Sequence, residues 1–172
     1  MADQTEIQFE PSWIKFGASG SEAELGFTEG PITLTFTEES GDIVADQTGK
    51  TVLDDVLLGE AVTAKFSLKQ WSLDNLKVAF PHAATAVSGI AGGRLPGAKG
   101  TAVSGVLIVH PTRKAATATD EDFRILRAKI KVDGDIEFKH DGSKLLPCVA
   151  KGFLDYSKAS DGDGLWEYGT WT

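Results

Sequence analysis

Cysteine is almost missing from this chain of 172 residues: Cys148 stands alone. That excludes an intramolecular disulfide and leaves no thiolate cluster for a metal. No apolar run approaches the ~18 residues that a membrane-crossing helix needs. The opening stretch, Met1-Ala2-Asp3-Gln4-Thr5-Glu6, is acidic and polar, whereas a secretory signal has a positive start and an apolar core. The expectation is a chain made and folded in a cytoplasm. Bases are scarce in the first third. Residues 1–60 hold two of them, Lys15 and Lys50, against thirteen acids, a net charge of −11. Residues 61–172 hold fifteen bases and twelve acids, a net of +3. The acidic portion reads either as a solubilising face or as one of two complementary surfaces between copies. With a total of −8 and no basic patch, tight nucleic-acid binding is not expected.

Templates for chemistry are likewise incomplete. Gly92 and Gly97 have the spacing of a phosphate loop, but Ala98 stands where the lysine belongs, and Lys99 is followed by Gly100 rather than a hydroxyl residue. His82, His110 and His140 are scattered singly, without the close spacing of a metal-binding pair. Asp161-Gly162-Asp163-Gly164 hints at a calcium loop, yet its first and twelfth positions would be Ala159 and Thr170, which supply no carboxylate. Ser19, Ser88 and Ser104 have neighbouring glycines without completing G-x-S-x-G. Cys148 lies in an apolar run that disfavours its thiolate. The acid clusters Glu38-Glu39 and Asp120-Glu121-Asp122 read as solvated charge at segment ends. No catalytic, cofactor or metal site is expected.

What the sequence does hold is β-patterning. Ile32, Leu34 and Phe36 alternate with threonines; Val62, Ala64, Phe66 and Leu68 alternate with polar residues; so do Leu126, Ala128, Ile130 and Val132. A period of two marks strands buried on one face. Further strands are expected at Trp13–Phe16, Glu22–Phe27, Ile43–Asp46, Val103–His110 and Leu145–Tyr156. Asp133-Gly134 and Asp141-Gly142 suit hairpin tips. One helix is expected, capped by Ser72, with Leu73, Leu76 and Phe80 on one face and Pro81 at its end. Ser88–Gly100 is glycine-rich and reads as an exposed loop. Together these predict one mainly-β domain over residues 1–172, a β-sandwich or barrel-like protomer with one short flanking helix.

The segment from Ala23 to Pro81 carries a resemblance. Glu24-Leu25-Gly26-Phe27-Thr28-Glu29-Gly30 precedes the threonine-rich strand. Then come Asp46-Gln47-Thr48-Gly49, the stretch Val52-Leu53-Asp54-Asp55-Val56-Leu57-Leu58, and Gly59-Glu60. The strand at Val62 leads directly into Trp71-Ser72-Leu73-Asp74-Asn75-Leu76. This order resembles the tail tube, or major tail, proteins of long-tailed bacteriophages.

The resemblance implies a protomer that forms hexameric rings stacked head to tail into a tube within the virion, assembled in the host bacterial cytoplasm. It implies an extended inter-strand loop, about 42–60 here, that reaches the neighbouring ring. The implied partners are further copies of the chain, the tape measure protein and DNA transiently in the lumen, and tail terminator and baseplate or tip proteins. On the residues alone, Val52 to Leu58 reads either as a docking surface or as a short amphipathic helix on the chain's own core. The resemblance favours docking. The competing reading of the whole chain is a β-sandwich binding module, for virion decoration or for carbohydrate or protein, using Trp13, Trp71, Trp166 and Trp171 as an aromatic platform.

Overall fold

The computed structural model describes residues 11–44, 51–86, 88–92, 96–138, 142, 144–158 and 164–170. Met1 to Glu6, Asp46 to Lys50, His140, Asp141, Asp161 to Asp163 and Trp171 lie outside the described residues.

Among the described residues ten strands and one α-helix follow in chain order. They are β1 (Ser12–Gly17), β2 (Ala23–Glu24), β3 (Thr33–Val44), β4 (Val52–Leu68), α1 (Leu73–Ala79), β5 (Ala84–Ala86), β6 (Gly89–Ala91), β7 (Gly105–Pro111), β8 (Phe123–Val132), β9 (Leu146–Gly152) and β10 (Trp166–Tyr168). Among the described residues the main sheet is antiparallel, in the order β2-β1-β7-β8-β9-β4-β3. β10 pairs with the first half of β8 and β9 with the second, so the two share the edge of β8 that faces away from β7. The sheet coils until the segment after β2 reaches the end of β4. There Glu29 N donates to Ser67 O at 2.9 Å and Lys69 N to Phe27 O at 2.8 Å. A single bridge, Thr28 to Leu68, makes the junction, so the sheet curls around one core without closing into a barrel. The chain is thus mainly β and sandwich-like, with one short helix.

The core collects the inward residues of this coiled sheet. Ile14, Val62, Leu107, Ile125, Ile130 and Leu146 are at most 1 % exposed and come from five different strands. Val62, Ala64, Phe66 and Leu68 all face it, as the alternation of β4 requires. Phe66 and Leu68 sit beside Cys148 and Leu146 across the ladder with β9. α1 packs Leu76, Val78 and Ala79 on the same core. Ser72 caps it, its hydroxyl accepting from Asn75 N at 3.1 Å. Asn75 is itself buried and donates to Leu25 O and Gln70 O, both at 2.8 Å, which ties the helix to the turn after β2.

Three expectations need correction. In β8 the alternation changes phase. Gly105 pairs with Ala128 but Leu107 pairs with Ile125, so Leu126 and Arg127 together stand opposite Val106. That is a β-bulge. It turns Phe123 and Ile125 inward before it and Ala128 and Ile130 inward after it, while Leu126 faces out. Gly105 allows the close approach, since a Cβ there would lie 2.4 Å from Gly17 O. Next, Asp133-Gly134 is not a hairpin tip. Asp133 N bonds Pro147 O at 2.9 Å and Gly134 has φ +118°, but β9 begins only at Leu146. Last, the expected loop from Ser88 contains a strand, because Gly89–Ala91 pairs with Ala84–Ala86 in a small separate hairpin. Each strand of that hairpin is three residues long, too short for the alternation by which a strand is recognised.

Of the extended loop expected over about 42–60, the described part is a ladder rather than a loop. β4 pairs with β9 only from Thr63 to Leu68. From Val52 to Val62 its ladder partner is β3 alone. The two strands therefore leave the body as a two-stranded ribbon.

Candidate assembly surface

Every residue from Thr51 to Ala61 is exposed. The stretch Val52, Leu53, Asp54, Asp55, Val56, Leu57, Leu58 is strand, and it does not pack on its own core. Leu53 is 55 % exposed, Leu57 58 % and Leu58 64 %. Residues paired across a ladder project on the same face. Gly41 pairs with Val56 and Ile43 with Asp54, which puts Ile43 and Val56 on one face. Leu58 joins them, its Cδ1 lying 3.2 Å from where a Cβ on Gly41 would stand. The opposite face carries Ser40 with Leu57 and Asp42 with Asp55. Two register shifts leave Leu58 and Leu53 without partners in the ladder, and bulges of this kind re-aim side chains.

A free two-stranded hairpin is marginal in water, and this one adds two strains of its own. Its apolar side chains are wet. Like charges also stand directly opposite each other, Asp42 against Asp55 and Glu38 against Glu60, an arrangement that weakens a ladder. The described ribbon, residues 38–44 and 51–60, holds six acids and no base. Of these, Glu60 accepts a hydrogen bond from Trp166 Nε1 at 2.6 Å, anchoring the base of the ribbon. Phe36 packs edge-on against Trp166 and Phe123 at the same place, with centroids 5.3 and 5.6 Å away. The arm thus presents a mixed apolar and acidic surface to its surroundings.

The other candidate residues do not converge. Trp13 lies beside His110, Trp71 beside Phe138 and Trp166 beside Phe36, so the described tryptophans occupy three separate places. Among the described residues no three His, Cys, Asp or Glu side chains are grouped to hold a metal. Asp120 and Glu121 pair with Lys114 at 2.7 and 2.8 Å, and Arg113 also binds Glu121. The Lys114 hydrogen bond holds the Asp120 carboxyl below its ordinary range.

Sequence reading missed the third acid of that run. Asp122 is 3 % exposed and its Oδ1 lies 2.6 Å from Nδ1 of His110, which is fully buried. Beside it, on the outer face of β7, β8 and β10, is a cavity of about 450 Å³ whose lining includes Lys15, Asp122, Arg124, Lys158 and Glu167. Lys158 binds Glu167 at 2.8 Å and Lys15 donates to Ala116 O at 3.2 Å, while Arg124 Nη2 lies 3.9 Å from Asp122 and its buried Nε has no hydrogen-bond partner among the described residues. The cluster is drawn from β7, the start of β8, β10 and the turn after β9, so no local spacing in the sequence announces it.

Cys148 is buried on the core face of β9, and burial pushes its thiol from an ordinary 9.0 up to about 12. The neutral thiol is the form the fold favours. Stability tied to it is complete below about pH 9 and is lost as pH rises toward 12. Folded protein at pH 8 is expected to resist alkylation by iodoacetamide, whereas urea-unfolded protein is modified. Fast modification of the native state would show the thiol to be accessible. Compared with known proteins, the sequence matches no family model and no curated protein.

Proposed function

We propose that this chain is a structural virion subunit that assembles into stacked hexameric rings, forming the tube through which a tailed phage passes its DNA. The observation that carries this reading is the β3–β4 arm, with its exposed Val56, Leu57 and Leu58 and its acidic ladder partners. A surface of that kind calls for a partner, and an arm that projects from one side of a compact body calls for a different surface on the next copy. Such heterologous contacts build rings when the rotation closes and stacks when it does not. The order of motifs from Glu24 to Leu76, which resembles tail tube proteins, supports the same reading. The net charge of −8 per copy suits a conduit, since a wall that clamps phosphates would hold its cargo back.

Negative-stain imaging of the concentrated, purified protein tests this. Rings with a central hole, or hollow tubes, are expected. Isolated single protomers in every salt condition would overturn it.

A further inference from the structure

If the arm docks on another copy, that copy must offer a seat, and the body has a surface of matching chemistry. We propose that the groove between the end of α1 and the outer face of β8 receives the arm of a second copy, an inference that rests on the assembly reading above.

The groove has a volume of about 380 Å³, with Phe80, Pro81 and His82 over Lys129, Lys131 and Val132. That is room for a few side chains rather than for a whole ribbon. Lys151 of β9 stands directly opposite Lys129 of β8, and Lys131 projects from the same face as Lys129 because the two are separated by one residue. Lys131 and Lys151 are exposed. None of these three lysines forms an ion pair with a described residue. Lys65, on the same face, is already engaged by Asp133 at 3.3 Å.

The body thus repeats, with the opposite sign, the arrangement found on the arm. Lys129 faces Lys151 as Asp42 faces Asp55, and each like-charge pair weakens its own ladder. Bringing the two ladders together relieves both. The apolar components match as well. Phe80 is 37 % exposed at the groove wall, and Leu57 and Leu58 are more than half exposed on the arm. A nucleic acid would bring phosphates to a protein of net charge −8 and leave the apolar wall uncovered. The arm of another copy supplies carboxylates and leucines together. The described part of the chain's own arm does not fill the groove, because Thr51 to Ala61 are all exposed.

Charge exchange tests the seat. One variant carries Lys131→Glu and Lys151→Glu, a second carries Asp54→Lys and Asp55→Lys, and a third carries all four. All substituted positions are exposed, and Lys151→Glu and Asp55→Lys each turn a like-charge cross-strand pair into an opposite-charge one, so circular-dichroism melts are expected to match the intact chain or lie slightly above it. In a pelleting assay, each charge-reversed pair alone is expected to raise the critical concentration for assembly by about tenfold or more. The fourfold variant is expected to return most of the way to the intact value. If the intact chain pellets and the Lys131/Lys151 variant pellets equally well, or the fourfold variant gains nothing over it, the seat is wrong and assembly stands. If the intact chain never pellets, both readings fall.

Discussion

Replacing Ser40–Leu58 by an Asn-Gly turn is expected to give a protein that folds but no longer assembles. The cut falls where Glu39 already pairs with Gly59, and Asn-Gly closes a two-residue hairpin with the twist that flanking strands need. The core begins further along, at Val62, so among the described residues no buried apolar one is removed. The Trp166 to Glu60 hydrogen bond at the base is also kept. The deletion relieves the repulsion between Asp42 and Asp55 and takes Leu53, Val56, Leu57 and Leu58 out of water. A melting temperature within about 4 °C of the intact chain is expected, the shift that about 1 kcal/mol produces in a domain of this size. The loss of assembly should be complete, because it removes the contact itself rather than tuning it. Polymer formation at the intact chain's concentration would show that the arm is not the docking element. A collapse of the melting temperature would show that it belongs to the cooperative fold.

The second large effect is on stability. Asp122→Ala is expected to cost about 3 kcal/mol, since it leaves a fully buried ring nitrogen of His110 without its hydrogen-bond partner. His110 Nε2 already has no partner among the described residues. Without Asp122, Nδ1 of the same fully buried ring loses its bond too. Arg124, 3.9 Å from the carboxylate, loses its neighbour as well. At roughly 2–4 °C per kcal/mol for a domain of this length, the melting temperature should fall by about 10 °C. Replacing both His110 and Asp122 by leucine should cost less than Asp122→Ala, because apolar substitution of both members orphans neither. A melting temperature unchanged by Asp122→Ala would mean that the pair contributes nothing. A double variant worse than the single would mean that its hydrogen bond stabilises the fold more than apolar packing can.

How far the sequence could be read follows from where each signal lies. β4 was legible because Val62 to Leu68 keep one face buried along an unbroken ladder with β9. α1 was legible because Ser72 and Pro81 mark its ends. The phase of β8 is not legible because the bulge at Leu126 and Arg127 shifts it, and that bulge shows only in the pairing with β7, distant in the chain. The segment Val52 to Leu58 is not legible as a strand. Adjacent Asp54-Asp55 and Leu57-Leu58 break the period of two, and the ladder explains this, since bulges at Leu53 and Leu58 interrupt the alternation. The lysine groove had no sequence signal. Lys129 and Lys151 are brought together only by the pairing of β8 with β9, and the end of α1 completes the wall from a third part of the chain.

Sedimentation velocity of the intact chain over a wide concentration range, at low and high salt, tests self-association most directly. Material far heavier than the 18.3 kDa chain is expected to grow with concentration, and to shrink with added salt as screening weakens the acidic-to-basic contact. One boundary at the mass of a single chain, at every concentration and salt level, would contradict it.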